Sequence, residues 1–481
     1  LAGRPRLPRR GRSRSLSRSR VLLASALVAA LGLALAAWQH ERVVDKILYW
    51  RFGARLPAPS YPAPRDPTEA RLQDLDYLAR ITEVDRSFSP AAVQRFRARV
   101  EALRAQAPSL DRAAFLLGVS EAVAAADNAH TNVDARAWRE QLSSVPVRFE
   151  WFAEGLHVVR ARPEAVDLLG ARILAIDGLA PEALVREAAR WFGGSAEFAR
   201  TSSLVYLESP EALQALHPEA PAGRMVLHLV DREGRERTAE VAALAPPQPP
   251  EVSKAGRLFS PVRLPDETPE WRTLLDPAAP LPPSLRAPDK SVYAIPLDDA
   301  TLYLHVWQLR DDASGRVGDE IERAVGAGAR WRRIVLDVRF DRGGDFPWAY
   351  AQLRGLPEHL AADGRLLVLE DNTTFSAAII AAALAKHYGG PRTTLVGERP
   401  GDRLEFWAEG NAFELPNSKL RIMTSTGYHD WAHGCRELRC FWPVYWYGVG
   451  VGGVDPAVHV AWRFADYRRG IDTVLARALE P

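Results

Sequence analysis

The sequence predicts an α/β protein with an N-terminal helical region, a small β-rich module and a βαβ core. Three observations carry this. Apolar residues recur at three- and four-residue steps from Thr68 to Ala126, the period of a helix face. From Val147 to Leu244 the pattern changes to short strand-like runs separated by turn residues. The last third alternates strand-like and helix-like segments, which implies a parallel sheet covered by helices with right-handed crossovers. With 481 residues, 47% hydrophobic and 25% charged, the chain has room for two to four domains at ~100–200 residues each. That composition excludes a disulfide-stapled miniprotein, a collagen-like fibre and a wholly disordered chain.

The first element is a leader. Residues 1–20 hold eight Arg and no acid, and run into the uncharged stretch Val21 to Trp38. This stretch is at the lower limit for crossing ~30 Å of hydrocarbon. The Arg cluster would stay cytoplasmic and place the chain beyond Trp38 outside. Ala34-Leu35-Ala36 has the small-residue pattern of a signal-peptidase site. Residues 1–38 therefore read as a signal anchor or signal peptide, and the protein as exported. A periplasmic or otherwise extracytoplasmic place is expected, with membrane contact through this segment only. Without those eight Arg, the 62 basic residues fall to 54 against 60 acidic ones. Such a body lacks the basic face that nucleic acid needs, so no nucleic-acid partner is expected.

A Pro-rich tether, residues 39–67, contains PAPSYPAPRDP. Residues 68–146 form the helical region, with LQDLDYLARI, AAVQRFRARVEALRAQ and AAFLLGVSEAVAAA as its helices. It stops at the polar turn Asp127-Asn128-Ala129-His130-Thr131. Residues 147–245 form the β-rich module, with strands VRFEWF, GLHVVRA, ARILAID and RMVLHLVD and helix PEALVREAARWF. Thirteen of the 36 prolines fall between Pro246 and Pro296, so residues 246–296 read as a linker or extended arm. The core, 297–481, reads as strand TLYLHVWQL, helix GRVGDEIERAVGAGA, strand RRIVLDVRF, helix PWAYAQLRGLPEHLAA, strand RLLVLED, helix FSAAIIAAALAKHY and strand TTLVGE.

Ligands of parallel sheets bind beyond the carboxyl ends of the strands, and two loops are expected there. One is Asp341-Arg342-Gly343-Gly344-Asp345. The other is Asn372-Thr373-Thr374-Phe375-Ser376, which opens an apolar helix. Paired glycines expose backbone N–H groups without a Cβ in the way. A Ser at a helix start has free N–H groups and the positive end of the dipole beside it. If the two strands are neighbours, Ser376 faces an oxyanion hole made by the amides of Gly343 or Gly344 and of Ala377.

These segments resemble a known family, the C-terminal-processing (tail-specific) serine peptidases and the tricorn-type peptidase core. DVRFDRGGD resembles their D-x-R-x-N-x-G-G element, TTFSAAI the nucleophile element T-x-S-A-A-E, and LVGERPG the V-G-E strand after it. ADNAHTNV resembles their D-x-H-T turn, and LLGARILAIDG the signature of their PDZ-like module. LPNSKLRIMTSTGYHDW, VDPAVHV and DYRRGIDTVLARAL resemble the closing segments. The resemblance runs from Asp111 to Leu479. It implies a PDZ-like module that binds an extended peptide by strand addition, and a crotonase-like catalytic core. It implies as partners peptides or the C-terminal tails of unfolded proteins, and no cofactor.

The departures choose a branch. Processing peptidases of this family pair the Ser with a Lys just after the V-G-E strand, but here Glu398 is followed by Arg-Pro-Gly-Asp-Arg. Arg cannot give up its proton near neutrality. Lys386, one of five Lys in the chain, lies ten residues along the same helix as Ser376, about 15 Å away. The tricorn-like branch uses His, and His130 occupies the matching turn with a side chain suited to general-base work. Asp430 is the first candidate to orient it and Glu398 the second, while His429 is a rival base. Ile379 replaces the Glu usual after Ser-Ala-Ala. The two cysteines, Cys435 and Cys440, suit a local disulfide in an exported protein. A zinc site from His429, His433, Cys435 and Cys440 is the alternative, although no known finger spacing matches. Two functions stay open: a serine-type peptidase, or an inactive peptide- or lipophile-binding protein on the same scaffold.

Overall fold

Helix starts in this chain are written into its caps. In the computed structural model, residues 50–246, 257–263 and 271–480 are described, with positions 29, 32, 46 and 47. Asp66 accepts the Glu69 N–H and Pro67 takes the first position of α1 (Pro67–Leu78). Ser89 and Pro90 do the same for α2 (Pro90–Gln106), and Asp111 caps α3 (Arg112–Ala124). Each cap satisfies an amide that the helix leaves without a partner. Phe96, Val100 and Leu103 of α2 join Phe115, Val119 and Val123 of α3 in one apolar core.

The next strands form an antiparallel sheet in sequence order: β1 (Val147–Phe152), β2 (Gly155–Ala161), β3 (Arg172–Ile176), β4 (Arg224–Val230) and β5 (Glu236–Ala242). Helices α4 (Pro181–Ala188) and α5 (Ala196–Ser202) lie between β3 and β4. From the Pro-rich arm, β6 (Arg272–Thr273) pairs with β2. The buried Arg160 guanidinium donates to the carbonyls of Arg257, Leu258 and Ser260, which ties the arm to this sheet.

A second sheet has the order β14-β11-β10-β9-β8-β7. Its strands are β7 (Val292–Asp298), β8 (Thr301–Val306), β9 (Trp331–Asp337), β10 (Leu360–Glu370), β11 (Thr393–Gly397) and β14 (Val458–His459). All pairings are parallel except the edge pair β7–β8. Helix α6 (Val317–Val325) connects β8 to β9, and α7 (Ala377–Gly389) connects β10 to β11. A two-stranded ribbon, β12 (Glu405–Glu414) with β13 (Arg421–Asp430), stands apart from both sheets.

Two elements differ from the sequence reading. PWAYAQLRGLPEHLAA is not one long helix: a turn to Ala349, a short helix Tyr350–Gly355 and a second turn at Pro357 replace it, and Leu360 already begins β10. The ribbon is the other difference, and it reaches back to the helical region. Leu415, Leu420 and Ile422 complete the core of α1–α3. A second core joins Phe152 and Val159 of the antiparallel sheet to Val335, Leu369 and Val396 of the parallel one. Residues Ala54–Pro481 accordingly form one compact unit. Among the described residues no helix is long and apolar enough to cross a membrane. The expected anchor at 21–38 lies outside them, apart from positions 29 and 32.

Candidate active site

Strands β9 and β10 are parallel neighbours, with Leu369 opposite Asp337. Their carboxyl-end loops therefore meet. The Phe375 N–H donates to the Asp341 carbonyl at 3.0 Å, and Thr374 Oγ1 donates to the Val338 carbonyl at 3.0 Å. Asp371 accepts the N–H groups of Thr373 and Thr374 and shapes the turn from inside. Gly343 lies directly against Ser376: a Cβ there would sit 2.6 Å from Ser376 Cβ and 3.0 Å from its Oγ.

Ser376 itself is held at φ 57°, ψ −122°, a backbone region that side-chain-bearing residues rarely occupy. A Ser before an apolar helix is ordinarily an N-cap, yet this one makes no cap hydrogen bond. Its hydroxyl is thus turned away from the local duty that the position usually imposes. The Ala377 amide, first in α7, has no carbonyl partner within the helix.

The two glycines differ. Gly343, expected as a donor, gives its N–H to the buried Asp341 carboxylate at 2.7 Å. Gly344 pairs in parallel register with Leu309, using the flanking Gly343 carbonyl and Asp345 amide. In such a pairing the N–H of the central residue turns away from the partner. Gly344 and Ala377 are consequently the amides left for an anion. A Cβ at Gly344 (φ 146°) would lie 2.1 Å from the Leu309 carbonyl oxygen. Gly344→Ala is therefore expected to cost about 2–4 kcal/mol of stability through clash and backbone strain. Urea denaturation measures this, and an unchanged midpoint would contradict the close approach.

His130 follows α3 in a turn locked by the ribbon. Asn128 exchanges hydrogen bonds with the Trp407 backbone, at 3.0 Å each way. Thr131 Oγ1 donates to Asp85 Oδ2 at 2.8 Å, and Asp85 also accepts the Ser425 amide. The imidazole is held between two aromatic faces, with ring centroids 4.4 Å from Phe375 and 4.9 Å from Phe406. Phe375 immediately precedes Ser376, so His130, from the end of the helical region, lies beside the turn that ends in Ser376. Neither ring nitrogen has a hydrogen bond. Burial, with a smaller push from His429, lowers the ring to about 3. At neutral pH it is an uncharged acceptor.

The carboxylate beside His130 is Asp402, whose Oδ2 is 3.6 Å from Nδ1. That separation exceeds a hydrogen bond. Burial pushes Asp402 up to about 7, against the opposing pull of the Arg403 amide and guanidinium. Asp402 sits in the stretch after Glu398 where the resembling peptidases carry Lys, and this is the one signal of it in the sequence.

The other acid candidates lie elsewhere. Asp430 pairs in register with Glu405, while His429 beside it pairs with Phe406. Consecutive strand residues face opposite ways, so the face that carries His429 toward His130 carries Asp430 off it. Asp430 instead accepts the His433 amide at 2.8 Å. Glu398 is raised to about 7 by burial and by Asp371, with Arg200 opposing. It does not meet His130. His429 stacks on Phe406 at 4.6 Å and accepts a hydrogen bond from Trp431 Nε1 at 3.3 Å. Phe406 thus separates it from His130. Ile379 is fully buried in α7. Cys435 and Cys440 are joined in a disulfide, with Cα atoms 5.9 Å apart. Both sulfurs are then engaged, so the four-residue zinc site of the sequence reading does not form.

No family model matches this sequence, and no curated protein does either. Solved structures do. One of mature CPAF has a TM-score of 0.52 at 14% identity, covering 84% of this chain and 95% of that one. Mature CPAF complexed with lactacystin gives 0.53 at 12% identity, over 84% and 96%. The CPAF s499a mutant gives 0.52 at 12%, over 84% and 95%. At such identities the likeness is one of architecture, and the chain shares the fold of mature CPAF over most of its length.

Proposed function

We propose that this chain is an exported serine peptidase of the tail-specific/tricorn type, in its Lys-lacking branch. The single observation that carries the reading is Ser376, held in a strained, uncapped conformation against Gly343 with His130 packed on the preceding residue. Strained residues gather where geometry serves chemistry. In this reading Ser376 Oγ attacks a peptide carbonyl carbon and its proton passes to His130 Nε2, because Nδ1 faces Asp402. The amides of Gly344 and Ala377 bind the oxyanion. The protonated His130 then donates to the leaving amine as the C–N bond breaks, and water hydrolyses the acyl-enzyme by the reverse path. Asp402 stabilises the imidazolium.

The antiparallel sheet of residues 147–245 is assigned the PDZ-like role and the parallel sheet of 297–481 the crotonase-like one. Extended peptide tails are the substrates this division suggests, with the leader directing export. The second reading, a peptide- or lipophile-binding protein, draws on the lack of any hydrogen bond at His130. Unliganded catalytic sites commonly show such loose contacts. A fluorophosphonate probe separates the two. Stoichiometric labelling at Ser376, located by peptide mass and lost in Ser376→Ala, is expected; folded protein that takes no label is a binding protein.

A further inference from the structure

A second feature lies beside the nucleophile turn and has no part in the chemistry above. A cavity of about 50 Å³ opens at the carboxyl ends of β9, β10 and β11, walled on its other side by β1 and α5. At ~10–15 Å³ per ordered water, this accommodates about four non-hydrogen atoms. Asn372 and Thr373 line it, and they belong to the turn that ends in Ser376. Helix α5 touches both places: Phe198 stacks on Phe375 at 5.1 Å, and Arg200 lines the cavity.

Four carboxylates line this space, Glu150, Glu370, Asp371 and Glu398, and both oxygens of fully buried Glu370 lack a hydrogen bond. Glu150 is only 8% exposed. It lines the cavity with Trp151 and Phe152 of the same strand. Among the described residues nothing hydrogen-bonds to the Glu150, Glu370 or Glu398 carboxylate, and no cation lies within ion-pair distance of any of the four. Arg200 and Arg339 also line the cavity, and Arg342 lies near it, but their close contacts are made to other groups. Arg339 is held by Asp337 and Asp472, Arg200 lies 4.4 Å over the Trp151 ring, and exposed Arg342 donates to Ser202. A buried carboxylate without a partner is costly unless it keeps a proton or meets a cation. Burial, Glu208 and Asp371 push Glu150 up to about 8, against Arg342 and Arg139. Glu398 stands near 7 for like reasons. A cation entering the cavity would favour the ionised form of these acids.

The size of the space and the lack of a metal-like cluster within it select the cation. Among the described residues, three ligand atoms come close enough to share a metal ion at Glu405, Asp430 and His433, not here. A guanidinium, one carbon and three nitrogens with donors pointing outward in a plane, fits the volume and can donate to more than one carboxylate. We propose that this cavity is a cation pocket that receives an arginine side chain of the bound peptide. Its description as a substrate pocket rests on the peptidase reading; its affinity for guanidinium does not.

The test uses the full-length Ser376→Ala protein, so that nothing turns over. Calorimetry compares Nα-acetyl-arginine amide with its neutral isostere, Nα-acetyl-citrulline amide. The arginine compound is expected to bind at least ~10-fold tighter, the scale of a charge-assisted hydrogen bond. Glu150→Gln and Glu398→Gln, each checked for intact circular dichroism, are expected to remove most of that preference. Equal binding of the two compounds, no binding of the arginine compound, or full preference in both Gln variants overturns the proposal. So does saturable calcium binding that excludes the arginine compound, which would make this a metal site. Fluorophosphonate labelling of the parent protein reads the other question: arginine preference without labelling leaves the pocket standing and ends the peptidase reading, while labelling without preference does the reverse.

Discussion

Ser376→Gly is expected to raise stability by about 1 kcal/mol while abolishing turnover. The gain follows from φ 57° and ψ −122° at a residue with a Cβ, a conformation that costs roughly 1–3 kcal/mol and that glycine adopts freely. Part of it is returned because glycine loses more chain entropy on folding, roughly 0.5–1 kcal/mol. The loss of activity follows from the missing hydroxyl, and removal of a serine nucleophile lowers kcat on the order of 10⁶-fold. Ser376→Ala removes the same hydroxyl and keeps the strain, so it should be inactive without the gain. Denaturation midpoints of the three proteins, with their hydrolysis rates, decide the matter. If Gly and Ala variants are equally stable, the strain is not real.

The second large effect concerns the base. His130→Ala is expected to lower turnover ~10²–10⁴-fold, and His429→Ala much less, because the Phe406 ring stands between His429 and His130. The pH profile carries the finer information. With its ring lowered to about 3, His130 is already neutral across the ordinary range and does not set the acid limb. Asp402, at about 7, does. Turnover should rise as pH rises through about 7, when the carboxylate able to face a developing imidazolium appears. Asp402→Asn should flatten that rise and lower the plateau. The stability effect has the opposite sense. A carboxyl group raised from an unfolded value of ~3.9 binds its proton more tightly when folded, so its contribution declines as pH rises from about 4 to about 7. Relative to the parent, Asp402→Asn should therefore be more favoured at pH 8 than at pH 5. Urea titrations at the two pH values would show it, and identical differences at both would contradict the placement.

Much of this arrangement could be read in the chain. Val- and Ile-rich runs ending in Asp341–Asp345 and Asn372–Ser376 announce strands with loops at one end, and β9 and β10 lie side by side as the alternation implies. What the residues conceal is which groups those loops already occupy. Gly343 looks as free a donor as Gly344 until the Asp341 carboxylate turns back onto it. Asp430 follows His429 in sequence, but strand alternation puts them on opposite faces, and no local pattern says which face meets His130. Asp402 stands in the stretch where a Lys is expected, and the lack of that Lys says nothing of the acid near its place. The Phe375–His130–Phe406 stack unites three distant parts of the chain, and hydrophobic periodicity carries no information about such pairings.

The turn bearing His130 is pinned to residues almost 300 positions later, through Asn128 to Trp407 and through Asp85 and Thr131 to Ser425. Asp402 and Phe406 come from the same late stretch. Contacts of such separation close only after the intervening chain has been made and ordered, and they are the slow ones to form. A growing polypeptide that already displays α1–α3 lacks Leu415, Leu420 and Ile422 to finish their core. Its imidazole has neither aromatic wall nor carboxyl neighbour. Hydrolytic competence on the proposed reading is consequently absent until residues 402–425 have been made and have closed onto this turn, a latency written into chain order.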